Sequence, residues 1–312
     1  MSIKKIAVIG AGVLGLSVAR SLAQQGAKVT VFERNHVGAG TSSTTFAWIN
    51  SNGKSPESYH HLNAQAIAEH LRLQQERTTE GQWLRQTGTY EWATSVSEQK
   101  RLQDRVSWLM KLHYPVKNLA PDELQRKIPE IRLDPHAGEI WQFPGECLLI
   151  PSAFMAWLVS ELHVYKAELR TQSEVTDLIE TNNSAEIRLA NGEHWQGDSI
   201  VIAAGRWSAE LTALVGQQLA MIDPNQPDKI ACGFLGYTRP VLTQLQANLI
   251  TPGVNVRREG GGRLLLQCPD LDSFAKPANP ATIDSYIGEE MLRRLRRVLS
   301  NMEAAQLERI AV

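Results

Sequence analysis

Cysteine is scarce. The 312 residues hold three, Cys147, Cys232 and Cys268, far apart and odd in number. They form neither a disulfide framework nor a paired-cysteine metal spacing, which suits a reducing cytoplasm, and each is expected to be a plain buried thiol. An excess of one charge is also lacking. The formal net charge is −1, which offers no footing for a nucleic acid or an anionic membrane as partner. No stretch approaches the ~20 apolar residues of a membrane span. The N-terminal "MSIKKIAVIGAGVLGLSVA" starts basic and turns apolar like a signal peptide, but three spaced glycines and Arg20 interrupt it. No Ser/His/Asp set, paired carboxylates or metal-ligand cluster stands out. His60, His61 and His70 have no evident acidic or cysteine partner and read as helix-surface residues.

What is present begins at "IAVIGAGVLGLS", residues 6–17. A short apolar strand runs into Gly10, Gly12 and Gly15 in the spacing G-x-G-x-x-G, and a helical run follows. Gly10 allows a tight turn, Gly12 lets the backbone approach a pyrophosphate, and Gly15 lets the helix pack close to the strand. The helix start at Val13, Leu14 and Gly15 presents free N–H groups to phosphate charge. Leu14, Val18 and Leu22 share helical spacing and are expected to face the sheet. Gly26 is expected to end the helix. "KVTVF" reads as the next strand, with Glu33 at its end, where an acid accepts hydrogen bonds from ribose hydroxyls and repels a 2′-phosphate. Strand, glycines, helix, strand and acid arrive in the order a dinucleotide site requires.

A plain NAD domain would continue with a helix and a third parallel strand. Here "RNHVGAGTSSTTFAWINSNG" follows instead, with Thr41, Ser42, Ser43, Thr44 and Thr45 offering five hydroxyls in a row. Such a loop can hold a second phosphate and a ribityl chain. Far downstream, Asn191-Gly192 marks a hairpin. The buried strand "SIVIAAG" ends in Ala203, Ala204 and Gly205, small residues that suit the close passage of something bulky.

These segments carry a resemblance. "VIGAGVLGLSVARSLAQQGAKVTVFER", "GAGTSSTTFAWIN", "SEVTDLI" and "DSIVIAAGRWSAEL" are together similar to the D-amino-acid oxidase family of FAD-dependent oxidoreductases, which includes glycine oxidase, sarcosine oxidase and D-amino-acid dehydrogenase. The resemblance is thin from 55 to 135. It implies an α/β fold, an FAD-binding Rossmann-like domain interleaved with an α+β substrate domain built on an antiparallel sheet. It implies FAD as cofactor, with Gly10, Gly12 and Gly15 at the pyrophosphate and Glu33 with Arg34 framing the adenosine. Thr41 to Thr45 would run along the pyrophosphate and flavin, Val175 would meet the adenine through its backbone, and Ala204, Gly205 and Trp207 would close over the cofactor.

The chain divides by this reading into a cofactor domain of 1–53 and 145–215, a helical segment 54–144, and a substrate domain 216–312. Strands on either side of Gly260-Gly261-Gly262 place Asn255 and Arg257 on one face and Arg258 on the other. Asn255 and Arg257 are the substrate candidates, since an arginine can pair with a carboxylate; a solvated edge strand is the alternative. "RRLRR", residues 293–297, reads as a solvated helix face. The closing "LERIAV" reads as the start of a strand. In the family such a strand leads into a substrate-binding arginine and a helix aimed at the flavin, so a missing C-terminal segment or a second polypeptide is expected to complete the fold.

The function expected is oxidation of the C–N bond of a small amine or amino acid, with hydride passing to flavin N5 and the imine hydrolysing. An NAD-linked dehydrogenase and a non-catalytic flavin-binding subunit are the alternatives.

Overall fold

The computed structural model describes residues 3–76, 81–181, 184–222, 230, 232–276 and 280–312. The chain divides into two compact units, one of Met1–Thr45 with Pro151–Asp223 and one of Phe46–Ile150 with Pro224–Val312.

The first unit is built on a four-stranded parallel sheet ordered Ser199–Ile202, Lys5–Ile9, Lys28–Phe32, Glu168–Arg170. Its central strands are buried from Ala7 to Ile9 and from Val29 to Phe32, as expected for strands covered on both faces. The helix Val13–Gln24 follows the glycine turn at once and ends ahead of Gly26, whose φ is +90°. Its buried stripe is Gly15, Leu16, Ala19 and Ala23. This corrects the expected stripe: Leu14 is 69% exposed, and Val18 and Leu22 are half-buried. Gly15 lies against Gly10 O and Ala203, and both the sheet and the helix Pro151–Val164 pack against this helix. An antiparallel meander, Val175–Glu180, Ala185–Leu189 and His194–Gly197, turns at Gly192 and shares a core with the sheet through Phe32, Ile187 and Trp195.

The second unit holds an eight-stranded sheet. Its order is Leu307–Ala311, Leu235–Thr238, Leu264–Gln267, Val254–Arg258, Asn248–Thr251, Thr89–Glu91, Ile140–Phe143, Lys117–Leu119. Every pairing is antiparallel except Asn248–Thr251 with Thr89–Glu91, which run parallel. The stretch read as helical supplies the helices Glu57–Glu76, Val96–Lys111 and Pro121–Lys127, but also strands of this sheet. Those strands are three or four residues long, too short for alternation to stand out in a sequence.

Alternation sorts this sheet into two unlike faces. Val254, Val256, Leu264 and Leu266 point into an aliphatic core with Met291, Leu295 and Val298 of the helix Tyr286–Val298. On that helix Arg294 is 15% exposed and holds Asp270 in a two-armed ion pair, so the arginine run is only partly solvated. The opposite face carries Thr89, Glu91, Asn248, Asn255, Arg257, Gln267 and Tyr237, together with Leu235, Ile250 and Leu265. Among the described residues, no helix is long and apolar enough to cross a membrane.

Candidate functional site

In the first unit the glycine turn is tied down from three sides. Gly10 N–H donates to Phe32 O at 2.8 Å, and Ala203 N–H donates to Ile9 O at 2.8 Å. Gly10 has φ +106°, and a Cβ there would lie 2.5 Å from Ala203 O; a Cβ on Gly15 would lie 1.9 Å from Gly10 O. Only glycine permits this crossing of turn, helix and neighbouring strand.

Glu33 closes the turn from the second strand. Its Oε2 accepts from Ala11 N–H at 2.9 Å and its Oε1 from Asn35 N–H at 2.8 Å. A carboxylate is thereby fixed at the end of the strand, beside the positive end of the helix. Ser42 reaches the same helix end: its Oγ accepts from Val13 N–H at 3.0 Å. Thr41–Ser43 form a single 3-10 turn, with Ser43 Oγ donating to Gly40 O at 3.2 Å and Thr44 N–H to Thr41 O at 3.1 Å. Thr45 is the last residue of this segment of the unit. The hydroxyl loop and the helix N-terminus thus meet at one place.

Gly205–Trp207 form another 3-10 turn beyond Ser199–Ile202. Gly205 has φ +58° and open space where a Cβ would project. Trp207 lies under Arg34, whose guanidinium is 4.9 Å from the ring centre, and under Arg206 at 4.3 Å. A Cβ on Gly40 would come within 3.1 Å of the same ring. Arg34 also stands 3.8 Å from Glu174. Ala204, Gly205, Trp207, Arg34 and the loop at Gly40 are therefore neighbours. Val175 opens the meander strand and packs against the unit's core.

A dinucleotide-bearing group fits these residues. The first helical turn leaves N–H groups without intrahelical acceptors, the glycines keep side chains away from it, and Ser42 and Glu33 provide polar groups at its edge.

In the second unit, Asn255 is half-buried and donates through Nδ2 to Gln267 Oε1 at 3.3 Å. It lines a cleft of about 540 Å³ together with Glu91, Arg101, Arg105 and Asp270. Glu91 is held by Asn52 Nδ2 at 3.0 Å and by the Arg105 guanidinium. Arg257, on the same face as Asn255, is wholly buried and ion-paired with Glu259 at 2.6 Å, so neither candidate is a solvated edge residue. Burial pulls the Arg257 guanidinium below its usual value, and Glu259 opposes that shift.

A buried polar chain runs through the same unit. Glu146 is fully buried and accepts from Trp48 Nε1 at 2.7 Å and Tyr114 OH at 3.0 Å. Burial pushes its pKa up to about 8, against the donors Thr89, Trp48 and Tyr114, and nearby Glu91 adds to the rise. Tyr114 OH in turn accepts from Ser51 N–H at 3.1 Å, and Ser51 Oγ contacts His60 Nδ1 at 2.8 Å. His60 is thus buried rather than on a helix surface. Cys147 and Cys268 are buried, while Cys232 is half-buried.

A parallel sheet with a glycine turn, a helix N-terminus and a terminal carboxylate is the arrangement of the dinucleotide-binding class of proteins. The family of FAD dependent oxidoreductases designated DAO matches residues 5–311, and the chain belongs to it. It is similar to glycine oxidase of Geobacillus kaustophilus, 25% identical over 96% of this chain and 78% of that protein. It is also similar to a glycine oxidase of Pseudomonas aeruginosa, 24% identical over 70% of this chain and 60% of the relative. The crystal structure of the Geobacillus kaustophilus glycine oxidase superposes with a TM-score of 0.81, covering 98% of this chain and 81% of that one at 21% identity. L-proline dehydrogenase from P. horikoshii superposes with a TM-score of 0.79, covering 99% and 80% at 18% identity. These likenesses give the mixed α/β fold.

Proposed function

We propose that the chain binds FAD in its first unit and oxidises the C–N bond of a small amine or amino acid. The observation that carries the cofactor reading is the meeting of Ser42 with the N-terminus of the helix Val13–Gln24 at the glycine turn. There the N–H groups of Leu14 and Gly15 and the hydroxyls of Thr41 to Thr45 hold the pyrophosphate and the chain beyond it, with Val13 N–H fixing Ser42 beside them. Gly10, Gly12 and Gly15 keep that approach open. Glu33 is placed for the ribose hydroxyls, Arg34 frames the adenosine, Val175 meets the adenine, and Ala204, Gly205 and Trp207 cover the cofactor.

Bound FAD supplies a two-electron acceptor for the hydride leaving the carbon beside the nitrogen. What the chain adds is position and desolvation. The polar face of the second sheet receives the substrate, with Asn255 offered to the cleft and Arg257 as partner for a carboxylate. Family membership and the glycine oxidase relatives support an amino-acid substrate. The test is the visible spectrum of the purified protein, where bound flavin absorbs near ~450 nm, followed by anaerobic mixing with a panel of amines and amino acids. Bleaching by a member of the panel is expected; a colourless protein that takes up no FAD would sink the cofactor reading.

A further inference from the structure

Arg257 sits in a row across four strands. It pairs in register with Leu265, Leu265 with Tyr237, and Tyr237 with Arg309, whose guanidinium lies 3.6 Å over the tyrosine ring. The Phe46 ring centre is 5.6 Å from the Arg257 guanidinium. Arg257 has no exposure, yet its five N–H donors are poorly used. Nη1 donates to Arg258 O at 2.7 Å. Nη2 is ion-paired with Glu259 Oε2 at 2.6 Å, and Nε has no hydrogen-bond partner. A buried guanidinium left this short of acceptors is costly.

Glu259 is differently placed. It follows the strand Val254–Arg258 and precedes Gly260-Gly261-Gly262, of which Gly261 and Gly262 have φ of +72° and +79°. Its side chain keeps 16% exposure, a way out to solvent. One wall of the pair is therefore fixed in a sheet, and the other stands at a strand end beside a glycine turn.

We propose that Arg257 is a receptor for a small carboxylate and that Glu259 is its built-in occupant, displaced when the carboxylate of a substrate arrives. The inference rests on the reading of Arg257 as a substrate-binding residue. An occupant carried two residues along the same chain competes at high effective concentration and lowers apparent affinity by the fraction of time it holds the site. It also imposes selectivity: an amine without a carboxylate cannot replace Glu259.

The test is titration calorimetry of the flavin-loaded protein with glycolate and acetate as probes, which reads binding without turnover. Glu259→Gln is expected to bind glycolate about tenfold more tightly than the wild type, and Glu259→Asp to fall between. The double variant Arg257→Met/Glu259→Gln removes both charges, so no lone buried ion is left to unfold the sheet. It is expected to bind at least about tenfold more weakly than Glu259→Gln. If Glu259→Gln leaves affinity unchanged while the double variant loses it, Arg257 is a receptor without an occupant and the inference fails alone. If the double variant binds as tightly as Glu259→Gln, Arg257 is no receptor and the inference falls with that assignment. C–N bond oxidation is tested separately by amine-dependent bleaching.

Discussion

Glu146 offers the sharpest perturbation. In the folded chain its carboxyl holds a proton to about pH 8, because it is fully buried; in the unfolded chain it ionises near its ordinary value of 4.5. Between those values the folded state binds one proton more than the unfolded state. Stability must therefore fall as pH rises through that window and level off above it. The slope is about 1.4 kcal/mol per pH unit, so this one group removes up to about 4 kcal/mol between about pH 5 and pH 8. Glu146→Gln replaces the neutral acid by an amide of the same shape. Its oxygen can accept from Trp48 Nε1, and its nitrogen meets the Tyr114 hydroxyl oxygen. The variant is expected to cost less than about 1 kcal/mol at pH 5 and to equal or exceed the wild type at pH 8. The assay is urea unfolding at fixed pH steps, comparing wild type and variant so that all other titrating groups cancel. Parallel curves with the same pH slope would refute the reasoning. Glu146→Ala serves as a control, since it strands the Trp48 and Tyr114 donors at about 1–3 kcal/mol each.

Gly12→Val is expected to abolish flavin retention, because even a Cβ at this position lies 3.1 Å from Ser42 Oγ and a branched side chain would fill the approach to the helix end; a wild-type ratio of visible to ultraviolet absorbance after purification would overturn this. Glu33→Ala is expected to weaken FAD binding by roughly 1–3 kcal/mol, the usual cost of losing a charged acceptor. It should also loosen the turn, since Ala11 and Asn35 N–H groups lose their partner. Fluorescence titration with FAD measures the first effect, and unchanged affinity would remove Glu33 from the site.

The glycine turn and the strands around it were legible in the sequence because their requirements are local. Gly10 at φ +106° and the strand–helix–strand order are properties of consecutive residues, written in residue type and periodicity. The hairpin at Asn191-Gly192 and the helix Tyr286–Val298 were readable for the same reason. What only the tertiary structure decided are matters of partners brought from afar. Leu14 and His60 were misplaced because a neighbouring helix and a buried serine, not helical spacing, set which side chains are covered. Thr89–Glu91 is too short to announce itself, and it becomes a strand by pairing with Ile140–Phe143 on one side and Asn248–Thr251 on the other, the latter more than a hundred residues on. Glu146 stands 98 residues from Trp48 and 32 from Tyr114, and its raised pKa belongs to that enclosure rather than to any motif. Asn255 and Arg257 could be assigned to one face from alternation alone. That one opens on a cleft while the other is sealed against Glu259 and Phe46 follows from burial, which depends on how the chain packs over the sheet.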